Sequence, residues 1–227
     1  MNRFAEDNFR TLCDQLVETD LDLKLIIEKY GYPPMWIRDN TFATLILTIL
    51  EQQVSLASAF AAYQKLKEKI PLITPQNLLQ LSDDELRQCY FSRQKIIYAR
   101  GLAYALVNEE ISLQQFEFEQ DDVIRTRLKK LKGIGHWTID IYLIHALRRM
   151  DIFPVGDLAL VNAMKEIKSL SASTTKEELI KIAAPWKPLR SIATMMLWHY
   201  YIQKRRPIPA FPMERPSTHS PDNSILL

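Results

Sequence analysis

Apolar residues recur at intervals of three and four along most of the chain, and no stretch of useful length alternates like a strand. This spacing is typical of amphipathic helices, so it predicts an all-α protein. The low glycine count, five in 227 residues, agrees with that prediction. The predicted helices lie near residues 9–16, 20–30, 42–51, 55–69, 74–81, 95–108, 157–167, 176–183 and 192–203, and others begin near residues 82, 123 and 136.

Two segments fall outside this helical pattern. Residues 109–122 are acidic and predict a loop, and the Pro- and Ser-rich residues 207–227 predict a flexible tail. The preceding residues, 1–206, are long enough to bury a full core as one domain or as two joined lobes.

The segment from Leu131 to Asp157 carries the strongest chemical signal. Gly133 and Gly135 let bare backbone approach another molecule, and a helix N-terminus with partial positive charge follows them. Together they predict a phosphate-binding turn. Asp157 follows Pro154 and stands at the start of a helix, where a carboxylate is a favoured cap. A basic run that can face a nucleic-acid backbone precedes the turn: Arg125, Arg127, Lys129, Lys130 and Lys132.

Composition narrows the classes of function. The net charge of +2 argues against a bulk polyanion binder but permits local basic patches. The two cysteines, Cys13 and Cys89, are too few for a disulfide framework, a structural zinc site or a four-thiolate iron–sulfur cluster. No apolar signal core and no stretch of membrane-spanning length occurs, so we expect no membrane partner and a cytoplasmic protein, or a nuclear one in a eukaryote.

Residues 131–147, LKGIGHWTIDIYLIHAL, followed by FPVGD, resemble the helix-hairpin-helix and Gly/Pro-Asp loop of the HhH-GPD DNA glycosylases. The resemblance is strongest to the 3-methyladenine DNA glycosylase II type. EQQVS at 51–55 and WKPLRS at 186–191 extend it, although Glu51 stands where relatives usually carry glycine. The resemblance covers about residues 20–203 and implies two helical lobes around a DNA-binding cleft, the middle lobe spanning about 41–150.

That resemblance implies a monomeric base-excision repair enzyme acting on double-stranded DNA. It would flip alkylated purines, such as 3-methyladenine and 7-methylguanine, out of the duplex and hydrolyse the N-glycosidic bond. By motif position, Gln53 would fill the gap left by the extruded base. A structural Na⁺ or K⁺ would bind the backbone carbonyls of Lys129, Leu131 and Gly133, and no other cofactor is implied. The implied DNA contacts are Gln52, Gln53, Gly133, Gly135, His136 and Thr138.

Asp157 is the implied catalytic residue. Cleavage of an N-glycosidic bond passes through a cationic sugar, which a positioned carboxylate stabilises. Plain helix capping is the alternative role for Asp157, and Asp140 and Asp151 are the other carboxylates nearby.

Trp137 occupies the position where strand-cleaving relatives carry a lysine nucleophile, so the resemblance implies a glycosylase without lyase activity. Trp137 and Trp198 would line the base pocket, where an electron-rich indole face attracts a cationic alkylpurine. Core packing is the alternative role for either tryptophan.

Two other functions stay open on the sequence. One is a non-catalytic helix-hairpin-helix protein that binds DNA or senses damage. The presence of Asp157 at the catalytic position of the family argues against it. The other is a glycosylase of the same fold that acts on an uncharged lesion.

Overall fold

A computed structural model describes residues 3–205, so the predicted tail at 207–227 lies outside the described residues. Within residues 3–205 the chain forms α-helices, one 3₁₀ turn at Ala184–Trp186 and a single isolated β-bridge, which confirms the all-α prediction. The helices are α1 Phe9–Thr19, α2 Leu21–Tyr30, α3 Phe42–Leu50, α4 Leu56–Lys69, α5 Pro75–Gln80, α6 Asp83–Gln88, α7 Arg93–Val107, α8 Leu113–Phe116, α9 Asp121–Leu128, α10 His136–His145, α11 Leu158–Ile167, α12 Lys176–Ile182 and α13 Arg190–Lys204.

Short polar side chains set many of the helix starts. Asp20, Thr41 and Ser55 accept hydrogen bonds from backbone N–H groups in the first turns of α2, α3 and α4. Ser82 and Thr175 form reciprocal capping boxes with glutamates three residues later. Each cap satisfies N–H groups that have no partner inside the helix.

The prediction of a loop throughout residues 109–122 is wrong in part. The short helix α8 forms there because Ser112 accepts a hydrogen bond from the Gln115 N–H and because Leu113 and Phe116 are buried. The next helix, α9, begins at Asp121, two residues before the predicted start. An acidic composition hid two core side chains placed at helical spacing.

Two buried helices organise the packing. α10 contacts α3 and α9, and its residues Thr138–His145 are all buried. α13 contacts α1, α2 and α11, and its residues Ser191–Tyr200 are likewise buried. These two helices carry Trp137 and Trp198, and the loop that follows α10 leads to Asp157.

An ionic cluster joins α2 to the C-terminal end of α11. Lys168 Nζ lies 2.9 Å from a carboxylate oxygen of Asp20 and 2.9 Å from one of Asp22. The indole N–H of Trp186 donates to Asp20 at 2.7 Å. The cluster fixes the early helices onto the later part of the chain. No helix in residues 3–205 has the length and apolar character needed to cross a lipid bilayer.

Candidate active site and DNA-binding surface

Asp157 caps helix α11, as the sequence predicts. Its Oδ1 accepts a hydrogen bond from the Leu160 N–H at 2.8 Å, and its own N–H donates to the Pro154 carbonyl at 2.7 Å. The second bond closes the Pro-Val-Gly-Asp turn and fixes where the carboxylate stands. Capping uses one carboxylate oxygen, so it leaves Oδ2 available for another partner.

Both tryptophans predicted for the base pocket donate to this carboxylate. Trp137 Nε1 lies 2.9 Å from Asp157 Oδ2, and Trp198 Nε1 lies 3.0 Å from Asp157 Oδ1. A carboxylate has about four acceptor sites on its two oxygens, so the three donors around Asp157 occupy most of them and leave one free. The side chain is thereby held in one orientation on a partly exposed surface.

The other two candidate carboxylates are held by arginines. Asp151 receives bonds from Arg190 Nε at 2.6 Å and NH2 at 2.9 Å, and Asp140 lies 2.5 Å from Arg125. Burial raises the pKa of Asp140 despite its arginine partner. Asp157 forms no ion pair within residues 3–205. The structure therefore separates one carboxylate without a cation from two that serve as structural counter-ions.

Trp198 and Trp137 differ in their surroundings. Trp198 is 8% exposed, with the His145 ring stacked on it at 5.4 Å and the Trp36 ring against it edge-on at 6.5 Å. Trp137 is only half-buried and keeps accessible surface. Trp198 thus has the core packing that was its alternative role, while Trp137 is the indole with surface left for a base.

His145 belongs to this cluster, and the sequence interpretation assigned it no role. Its Nδ1 lies 2.6 Å from the Trp36 carbonyl oxygen, so Nδ1 carries the proton and donates. Burial and the nearby Arg38 guanidinium lower the pKa of His145 to about 3, although the bond to Trp36 acts in the other direction. The sequence signal that could have found it is its place on the same predicted helix as Trp137, eight residues further along.

The glycine turn before α10 is built around Gly133. Gly133 has a φ of +85°, and a Cβ there would lie 2.1 Å from the ring of Tyr98. The Gln52 side-chain amide donates to the Gly133 carbonyl at 2.9 Å and to Thr138 Oγ1 at 2.8 Å. The turn is therefore supported from inside by an aromatic ring and a glutamine.

The same bonds give Gln52 and Thr138 a role in supporting the turn, whereas the resemblance implied that both contact DNA. The Thr138 side chain is buried, and the Gln52 amide is engaged with the turn. Both hold the hairpin from the protein side, because the half-buried Gln52 amide finds its partners there. The first-turn N–H groups of α10 are what this segment offers to a phosphate.

Gly135 faces open space. A Cβ built on it meets no heavy atom within 4 Å, and its extended backbone needs no glycine. Gly135 is the N-cap of α10, and no side chain caps that helix. The exposed His136 accepts a hydrogen bond from Lys129 Nζ at 3.0 Å. An uncapped N-terminus beside a lysine is suited to an anion.

The basic run splits into two groups. Arg125 pairs with Asp140, and Arg127 lies 3.0 Å from Glu119, so these two arginines are held by acidic neighbours. Arg125 and Arg127 are therefore removed from the part of the run that is predicted to face a nucleic-acid backbone. The part that stays exposed and forms no ion pair within residues 3–205 is Lys129, Lys130 and Lys132.

Gln53 lies at the exposed apex of the turn between α3 and α4, with a φ of +55°. The preceding Glu51 forms two bonds with Arg38, at 2.6 Å and 2.9 Å, and is almost buried. Arg38 thus holds the residue that replaces the usual glycine of the family. The Arg38–Glu51 pair thus holds the start of the turn, and the Gln53 side chain projects outward from it.

The carbonyls implied to hold a monovalent cation are compatible with one. The Leu131 carbonyl accepts from the Ile134 N–H at 3.1 Å, and the Gly133 carbonyl accepts from Gln52. A carbonyl oxygen has two lone pairs, so each keeps one for an ion.

A shallow pocket of about 260 Å³ lies between α3, α4 and α7. The Lys95 ammonium within it donates to the Leu50 carbonyl at 2.6 Å, and burial lowers the pKa of Lys95. None of its lining residues bonds to Asp157, so this pocket is separate from the carboxylate cluster.

Known proteins share this sequence and fold. A family profile described as HhH-GPD superfamily base excision DNA repair protein matches residues 46–188. A DNA-3-methyladenine glycosylase of Bacillus subtilis is 28% identical over 208 residues, 86% of this chain and 68% of that one. The alkylbase DNA glycosidase-like protein mag2 of Schizosaccharomyces pombe is 36% identical over 126 residues, 55% of this chain and 59% of that one.

A solved structure adds a DNA complex to these similarities. The 3-methyladenine DNA glycosylase Mag1 of Schizosaccharomyces pombe, in complex with abasic DNA, matches with a TM-score of 0.75 and 26% identity. The match covers 83% of this chain and 95% of that one.

Proposed function

The chain belongs to the HhH-GPD superfamily of base excision DNA repair proteins, and we propose that it is a glycosylase that hydrolyses alkylated purines from duplex DNA. The substrate class follows the names of its relatives, which are DNA-3-methyladenine glycosylases. The observation that carries the catalytic assignment is the carboxylate of Asp157, which two indole N–H groups orient and which pairs with no cationic side chain among residues 3–205.

DNA docking would use the hairpin and the turn between α3 and α4. The open N-terminus of α10 with its exposed lysines would bind a phosphate without regard to sequence. Gln53, projecting from the other turn, would enter the stack as the target nucleotide leaves it. Extruding the base costs unstacking energy, which contacts of this kind offset.

Asp157 would act on the sugar rather than on the base. As the bond between C1′ and the base nitrogen breaks, the electron pair leaves with the base and positive charge builds on the sugar. The carboxylate stabilises that charge, and a water then adds to C1′ and loses a proton. A cationic alkylpurine departs as a neutral base, so no general acid is required to protonate it.

The proposed reaction is monofunctional. Trp137 stands where a bifunctional relative carries the attacking lysine, and an indole supplies no amine for a Schiff base. The product would be an abasic site in an unbroken strand. We further propose that the protein works as a monomer. It would also work without an iron–sulfur cluster, because two cysteines cannot supply four thiolates.

One experiment separates this function from non-catalytic damage sensing. The protein is incubated with duplex DNA carrying 3-methyladenine or 7-methylguanine, and free bases are quantified by mass spectrometry. Half of each sample is treated with alkali. We expect free alkylpurine, with strand breaks only after alkali. Tight DNA binding without base release would support the sensor, and breaks before alkali would contradict the monofunctional proposal.

A further inference from the structure

His145 is a buried polar side chain that the proposed reaction does not use. Its ring is 7% exposed and stacks on Trp198 with an angle of 17° between the planes. Because Nδ1 donates to the Trp36 carbonyl, the neutral ring keeps its lone pair on Nε2. The orientation of the imidazole is thus fixed by one hydrogen bond and one stacking contact.

Nε2 of His145 has no hydrogen-bond partner within residues 3–205. It is not among the unpaired side-chain atoms that are fully enclosed, so it keeps some contact with solvent. An acceptor at the edge of a buried ring costs free energy unless a donor reaches it. A group of this kind, held in one orientation, is suited to recognise a ligand that brings an N–H donor.

The position of His145 relative to Asp157 follows from two elements. Trp198 connects them, because its Nε1 donates to Asp157 while its ring contacts the imidazole. On α10, Trp137 and His145 are separated by eight residues, which places them about 80° apart around the helix and about 12 Å apart along its axis. A purine whose glycosidic bond lies at Asp157, and whose rings stand on the side of Trp198 that carries His145, would bring its far edge toward the imidazole.

We propose that His145 is a specificity-determining residue, whose Nε2 accepts a hydrogen bond from an exocyclic N–H of the extruded purine. The proposal rests on the proposed glycosylase function and adds a preference for purines that carry an amino group. A purine with an amino group satisfies Nε2, and a purine without one leaves Nε2 desolvated and unpaired. Burial and Arg38 also keep the imidazole uncharged, since they lower the pKa of His145 to about 3, and the Arg38 guanidinium is itself paired with Glu51.

The test uses two pairs of lesions that differ only in the amino group. Duplexes carry 7-methylguanine or 7-methylhypoxanthine, and 3-methyladenine or 3-methylpurine. For each pair, kcat/KM is measured with the wild-type protein, with His145→Phe and with His145→Gln. Phe keeps an aromatic ring on Trp198 but has no nitrogen, whereas Gln keeps an acceptor. For each protein, kcat/KM on the lesion with the amino group is divided by kcat/KM on the lesion without it. Dividing this ratio for a variant by the ratio for the wild type cancels the intrinsic reactivity of the lesions.

We expect the ratio to fall about tenfold in His145→Phe for at least one pair, the effect of one lost hydrogen bond, and to recover in part in His145→Gln. An unchanged ratio in both pairs overturns the proposal. If His145→Phe does not fold, the wild-type ¹⁵N shift of Nε2 decides the question. It should move when free 3-methyladenine is added and not when 3-methylpurine is added, and equal responses overturn the proposal.

Failure of the underlying function gives a different result. A wild-type protein that releases no base from any of the four duplexes removes both the glycosylase function and the preference for an amino group. A wild-type protein that releases all four bases, with ratios that His145→Phe does not alter, removes only the role of His145.

Discussion

The indole of Trp137 donates a hydrogen bond to Asp157 across twenty residues of sequence, at 2.9 Å between Nε1 and Oδ2. This bond unites two roles that the sequence assigned separately, a pocket wall and a catalytic carboxylate. We propose that Trp137 positions the carboxylate through this bond and also offers its ring to the extruded base. Substitutions that remove the N–H and keep the ring distinguish the two contributions.

Asp157→Asn should retain folding and lose activity. The Asn amide oxygen still accepts from Leu160, so α11 stays capped. Its NH₂ group cannot accept from the second indole and carries no charge to stabilise the sugar. We expect base release to fall by ~10²–10³, equivalent to about 3–4 kcal/mol, in single-turnover assays. Asp140→Asn is the matched control, and it should lower the melting temperature through loss of the Arg125 pair while keeping far more activity. Near-normal excision by Asp157→Asn would refute the mechanism.

Trp137→Phe should separate hydrogen bonding from ring contact. Phenylalanine keeps an aromatic face but leaves Asp157 Oδ2 without its donor. A bond to a charged acceptor contributes roughly 1.5–3 kcal/mol, so we expect kcat to fall about 10- to 100-fold for cationic and neutral lesions alike. Trp137→Ala should cost more for the cationic lesions, because it also removes the aromatic face. Equal activity of Trp137→Phe and wild type would show that the bond does not position the carboxylate.

Gly133 and Gly135 should respond differently to the same substitution. Gly133→Ala forces a Cβ onto the Tyr98 ring at a left-handed φ, so we expect a loss of about 2 kcal/mol or more in the free energy of unfolding. Gly135→Ala and Gly135→Val meet open space and should leave stability unchanged. They should weaken binding to damaged and undamaged duplex equally, because the proposed contact of this turn is with phosphate and not with a base. Normal DNA binding by Gly135→Val would make the turn a simple connector.

Gln53→Ala should slow excision from a fully paired duplex more than from a mismatched site, where extrusion costs less. Gln52→Ala is the control from the neighbouring position. It removes the bonds to the Gly133 carbonyl and Thr138, so it should weaken DNA binding on both substrates to the same degree. Measured single-turnover rates on the two duplexes give the comparison. Equal slowing of both by Gln53→Ala would remove its role in base extrusion.

His145 should make the folded protein less stable in acid. Its pKa is about 3 in the folded state and near 6.5 when unfolded, so the unfolded chain binds the extra proton between these values. Stability from this residue is therefore complete above pH 6.5 and falls as the pH drops toward 3, by at most about 1.4 kcal/mol per pH unit. In urea titrations from pH 7 to 4, His145→Gln should lose less stability than wild type. Parallel curves would show that the pKa of His145 is the same in the folded and the unfolded chain.

Sequence spacing determined the parts that rest on local physics. Helix periodicity predicted an all-α fold and most of the helix positions, because periodicity and caps such as those at Thr41 and Ser82 depend on neighbours a few residues away. The motif around Gly133 and Asp157 indicated the family, since a motif is a pattern of residue types at fixed offsets. The α8 segment was missed because its two core residues are surrounded by acidic ones.

Tertiary structure alone decided which polar groups meet. Arg125 and Arg127 belong to a basic run by sequence, yet the fold pairs them with Asp140 and Glu119 and leaves the lysines exposed. Asp157 is distinguished from its neighbouring carboxylates by two indole partners, which come from α10 and α13. Electrostatic and hydrogen-bonding roles depend on distances of about 3 Å between atoms far apart in the chain, and those distances are set by how the helices pack.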